Sequence, residues 1–186
     1  KKTGMRNSIL LLAACILITT LLQAQKSSNQ KLALKFLQTS DSFLLQEQWD
    51  SVYYHSKMAY DLLKQHDTSS ITSKAARISG ISNYKIQGKD STDYFDIAEN
   101  IAFKNQDWNE LIETYYATGS QLYDNLEKER ALNYFLKIDS ISQQHQLFNP
   151  TTVESIIKRA EITRTSFTPE SSDYAYNLLK EALAQA

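Results

Sequence analysis

The same register recurs four times along the chain, with sites separated by twelve, four and three positions. Ser40, Ser79, Gly119 and Thr163 hold the first site, and Val52, Ser91, Ala131 and Ala175 the second. Ser56, Phe95, Phe135 and Leu179 hold the third, and Ala59, Ala98, Ile138 and Ala182 the fourth. Only the gap between units changes, at 20, 21 and 25 residues. Pairs of packed helices produce such a pattern. A small residue on one helix lets the next approach, and a bulky one fills the groove beside it. Surplus length collects in loops, where it is tolerated. Gly119, inside "TGSQLYDNLEKERALNYFLKI", costs a helix roughly 1 kcal/mol against alanine, so its expected role is close approach.

Composition narrows the rest. The 186 residues include 4 glycines and 2 prolines, too few for the tight turns of a β-sandwich or a dinucleotide-binding sheet. An all-α chain of long helices and short loops is expected. A net charge of −1 creates no global attraction for nucleic acid. The three bases of "IIKRAEITR" (156–164) are diluted by Glu161 and spread by helical spacing.

Gly119, Ala131, Phe135 and Ile138 resemble the glycine, alanine, aromatic and alanine offsets of the tetratricopeptide repeat. "WDSVYYHSKMA" (49–59) and "DYAYNLLKEAL" (173–183) look like second helices of such units. Gly88 with Tyr94 and Phe95 resembles the inter-helix turn and its aromatic pair. The resemblance implies a right-handed α-solenoid of antiparallel helix hairpins, with about four repeats at 30–66, 70–106, 109–147 and 151–186. The chain departs from the family in its periods of 39, 40 and 44 residues. It also has Phe36, Ala75, Tyr115 and Arg159 where the family's tryptophan stands. HEAT-type repeats, at about 40–47 residues, are the alternative. "QHDTSS" (65–70), "KNQDWN" (104–109) and "TPESS" (168–172) read as connectors. In "NPTTVE" (149–154), Thr151 and Glu154 have capping-box spacing.

Residues 1–24 read as a secretory signal peptide. Lys1, Lys2 and Arg6 precede an apolar run from Ile9 to Leu22, and the small Ala24 offers a cleavage point. The run is shorter than the roughly 20 residues that span a bilayer. "LAAC", ending at Cys15, resembles a lipobox but sits in mid-run, and Met5 is a candidate start. Export to the periplasm or cell envelope is the expectation. The rest of the chain, 25–186, has no cysteine, which avoids wrong disulfides there.

No chemistry-bearing motif emerges. His55, His66 and His145 are scattered, and HExxH, GxSxG, Walker and GxGxxG patterns are missing. No catalytic, metal or cofactor site is expected, and the chain reads as a non-enzyme. The 11 tyrosines are the more informative excess. By the resemblance, the first helices line a groove for a protein or peptide partner, and its offsets fall on Asn83, Tyr84, Tyr116, Ser120, Tyr123, Asp124 and Arg164. Tyrosine and arginine suit binding hot spots. Leader-plus-repeat chains resemble the extracytoplasmic regions of bacterial sensor histidine kinases and related regulators, which implies sensing. A free-standing envelope adaptor is the alternative. The closing "KEALAQA" lacks a polar capping helix, so the array is expected to continue. Membrane contact is expected only through the leader or a later anchor.

Overall fold

The structure is a computed structural model that describes residues 2–65, 68–88, 91–164 and 169–185, the side chains of 2–14, 169–172, 181, 182 and 185 excepted. His66, Thr168 of the last connector and the side chain of Ala182 lie outside it. Among the described residues the chain is all-helical. The helices are α1 (Lys2–Leu44), α2 (Trp49–Leu63), α3 (Ser70–Gln87), α4 (Thr92–Lys104), α5 (Trp108–Asp124), α6 (Lys128–His145), α7 (Pro150–Arg164) and α8 (Pro169–Gln185).

Burial patterns sort these helices into two kinds. The even-numbered ones bury a narrow stripe: Val52, Ser56, Ala59 and Leu63 on α2, and Ala131, Phe135, Ile138 and Ser142 on α6. Steps of four, three and four keep such a stripe on one face. In contrast, α3 and α5 are buried around most of their circumference. Their buried hydroxyls turn inward onto backbone carbonyls: Ser79 on Ala75, Ser82 on Ile78 and Thr118 on Thr114. A sequence rich in small polar residues can therefore occupy an interior helix while these three hydroxyls stay bonded.

Each helix packs on its successor, and α1, α3, α5 and α7 also approach one another in turn. Among the described residues, backbone approach between non-successive helices is confined to that odd-numbered row. The even-numbered helices reach each other through side chains, as Tyr53 and Tyr60 of α2 do on Tyr94 of α4. The core is spread along the chain. One cluster joins α1 to α3, another joins α4 to α7 around Phe135, and a small one joins α7 to α8. Burying a side chain like Phe135, which is 0 % exposed, contributes roughly 1.5–3 kcal/mol.

Glycine works at two kinds of position. A Cβ on Gly119 would stand 2.8 Å from Phe135 Cε1, and one on Gly80 would stand 2.8 Å from Phe95 Cε1. Between α3 and α4 the close-approach residue is thus Gly80, one position beyond the expected Ser79. Ser79 Oγ, bonded to the Ala75 carbonyl, also lies 3.0 Å from Ser56 Oγ of α2, so the two hydroxyls meet where α3 packs on α2. Gly88 ends α3 at φ +60°, where glycine has no steric penalty.

Four other helix ends close without glycine. Glu47, Gln106, Leu126 and Gln146 adopt φ of 54°, 54°, 66° and 54°. The next amide then reaches back five residues: Gln48 to Phe43, Asp107 to Ala102, Glu127 to Leu122, and Leu147 to Ser142. This is the Schellman arrangement. The start of α7 differs from expectation. Asn149 Oδ1 accepts from the Thr152 amide at 3.0 Å, and Thr152 Oγ1 accepts from the Asn149 amide at 3.1 Å. The capping box is therefore Asn149/Thr152, not Thr151/Glu154. Pro150 lacks an N–H and suits the first helical position, which fixes the cap one residue before it.

Helix α1 runs unbroken through Ala24, the expected cleavage point, and residues 15–28 are exposed. Burial becomes deep at Ala33. Among the described residues, no helix is long and apolar enough to cross a membrane.

Candidate functional site

The odd-numbered row carries a ladder of polar bridges. Lys74 of α3 reaches Asp41 of α1 at 2.9 Å. The Arg77 guanidinium of α3 grips Glu110 of α5 through two bonds, Nε–Oε1 at 2.8 Å and Nη2–Oε2 at 3.1 Å. Its Nη1 lies 3.8 Å from Glu113. Lys85 faces Asp124 at 3.8 Å, and the Tyr84 hydroxyl donates to Asn125 Oδ1 at 3.0 Å. From α7, Thr151 donates to Glu113, and Lys158 lies 4.8 Å over the Tyr123 ring.

Two clefts open along this row. The narrower, about 160 Å³, lies between α3 and α5 and is walled by Tyr84, Lys85, Tyr116, Ser120 and Asp124 over Ile81 and Phe95. The wider, about 490 Å³, lies among α1, α3 and α5, with Leu34, Leu37 and Ile71 on one side and Asp107, Glu110 and Glu113 on another. Glu113 lines both.

Four of the seven residues expected at the groove therefore meet in one cleft: Tyr84, Tyr116, Ser120 and Asp124. Tyr123 sits on the neighbouring seam, packed toward α7. Asn83 points elsewhere, its Nδ2 donating to Ser91 Oγ at 3.2 Å within its own hairpin. Arg164 ends α7 in an exposed position. The sequence reading did not single out Arg77, Glu110 or Glu113. The available signal was a pair of opposite charges 33 residues apart, 41 with 74 and 77 with 110.

Electrostatics suit recognition by hydrogen bonding. Burial pushes the Tyr116 phenol up, and its bond to Glu154 adds to this. Burial, then Asp124, raises Tyr84. Both phenols stay protonated at neutral pH, each a donor to its neighbour, Tyr84 to Asn125 and Tyr116 to Glu154. Burial pushes the Glu110 carboxyl up, against the pull of Arg77.

The remaining candidates are built into packing. His55 stacks on Phe43 at 5.5 Å between α1 and α2, and His145 stacks on Trp108 at 4.3 Å. Arg159, at the site where the repeat family has tryptophan, pairs with Asp139 of α6 at 3.1 Å. Among the described residues, no group of three or more His, Cys, Asp or Glu side chains is placed to hold a metal ion. No protein-family model matches the chain, and no curated protein matches it in sequence.

Proposed function

We propose that the chain is an exported, non-enzymatic helical-repeat module of the tetratricopeptide type, a right-handed α-solenoid of four hairpins. It holds a protein or peptide segment against the face made by α1, α3, α5 and α7. The observation that carries this reading is the confinement of backbone approach to the odd-numbered helices. Helices that crowd on one side and spread on the other make a curved stack with an inner face. The Gly119–Phe135 and Gly80–Phe95 approaches and the division of the core into successive clusters support the same arrangement.

The inner face offers aromatic area with polar tips, the composition favoured at binding hot spots. Export rests on the basic start, short apolar run and Ala24 of the leader. Cell fractionation with N-terminal sequencing of the product tests it, and a cytoplasmic product retaining residues 1–24 would remove it. Sensing, as in the histidine kinases that leader-plus-repeat chains resemble, is the role this reading favours.

The binding reading is tested by selecting ligands for the full chain from a displayed peptide library. The Tyr116→Ala/Tyr123→Ala variant should lose the selected peptides while its circular dichroism stays unchanged. Retained binding would place the site on another face.

A further inference from the structure

Taking the odd-helix face as the peptide groove, we propose that it selects a segment carrying lysine or arginine beside an apolar residue, with Glu113 receiving the cation. Charges along this face are unequally partnered. The cations on α3 are all engaged: Lys74 on Asp41, Arg77 through its fork on Glu110, and Lys85 on Asp124.

The carboxylates exceed them by two, Asp107 and Glu113. Asp107 is used in the fold, since its side chain accepts from the Glu110 amide at 3.1 Å and caps α5. Glu113 has only a share of a cation, since the one Arg77 guanidinium serves both Glu110 and Glu113. It takes a neutral hydroxyl from Thr151, while Arg77 stands off at 3.8 Å with its short bonds made elsewhere. Its side chain is 36 % exposed, against 10 % for Glu110, and it stands where the two clefts meet.

The second half of the preference is apolar. In the wider cleft, Leu34 is 43 % exposed beside the buried Leu37 and the half-buried Ile71. A volume of about 490 Å³ lies within the roughly 300–1,000 Å³ range of ligand clefts. The residues lining the two clefts include five carboxylates and three cations, so an acidic segment would meet net negative charge there, and complementarity of this kind sets partner choice.

The test uses fluorescence anisotropy on the full chain with three labelled twelve-residue peptides. They share leucines and glycines and carry lysine, glutamine or glutamate at the same positions. The lysine peptide should bind at least roughly tenfold tighter than the glutamate peptide, and added salt should erode the difference. Glu113→Gln, close in shape, should remove most of that preference without changing the glutamine peptide's affinity. Glu113→Lys should reverse it.

A preference unaltered by Glu113→Gln, equal or tighter binding of the glutamate peptide, or no binding of the lysine peptide at millimolar concentration would overturn the proposal. The underlying groove reading fails separately, if Tyr116→Ala/Tyr123→Ala leaves all three affinities intact. If that variant loses all three while Glu113→Gln leaves the preference unchanged, the groove stands and only the basic preference falls.

Discussion

Gly119 of α5 lies against the ring of Phe135 on α6, so close that a Cβ would stand 2.8 Å from Cε1 and 3.1 Å from Cζ. Phe135 is 0 % exposed and has nowhere to retreat. Gly119→Ala should therefore destabilise the fold by roughly 1–3 kcal/mol despite alanine's better helix propensity. Shrinking the ring relieves the clash, so Gly119→Ala should cost less in a Phe135→Leu background. A double-mutant cycle in urea measures this coupling. Additive effects would mean that the two residues do not meet.

Arg77 and Glu110 form a largely buried pair, 12 % and 10 % exposed, linking α3 to α5. Removing one partner strands the other. Arg77→Ala should cost about 3–5 kcal/mol, whereas Arg77→Met with Glu110→Leu should recover much of that loss. Urea midpoints of the three proteins decide the point.

Gln106 holds φ 54° at the end of α4 and is exposed. A non-glycine residue there is strained by about 1–2 kcal/mol, and glycine relieves the strain while adding freedom to the unfolded chain. Gln106→Gly should raise the urea midpoint, with a net gain of roughly 0.5 kcal/mol.

Partial burial would raise the Asp61 carboxyl, but hydrogen bonds from Lys57 and Lys64 outweigh it and hold it below its ordinary value of 3.8. A lowered acid stabilises the fold above its unfolded value, and the contribution disappears as pH falls through the lower folded value. Asp61→Asn should thus lower stability slightly at pH 7, by roughly 0.2–1 kcal/mol for so exposed a pair. It should be indistinguishable from the parent near pH 2. Thermal melts across that range show the convergence.

The helices were readable because scarce glycine and proline, with small and aromatic residues at helical offsets, favour long helices packed on one another. Gly119 with Phe135 and Gly88 with Tyr94 and Phe95 all fell in the expected roles. Other features left weaker marks. Glu47, Gln106, Leu126 and Gln146 adopt a conformation that sequence associates with glycine, so these helix ends lacked that mark, and only Gln106 fell in a segment read as a connector. Asn83 and Tyr84 are one residue apart, yet a residue's step of about 100° on a helix turns one into its own hairpin and the other into the cleft. Arg77, Glu110 and Glu113 were hidden for another reason. Their pairing joins α3 to α5 across the intervening α4, 33 residues apart for Arg77 and Glu110, and no local pattern announces an ion pair at that distance.

Hydrogen exchange of the full chain, read by mass spectrometry with and without a peptide selected from the display library, tests the central claim most directly. The account predicts new protection along α3 and α5, between residues 70–87 and 108–124, extending to α7. Protection confined to α2, α4 and α6 would contradict it and place the binding surface on the opposite side.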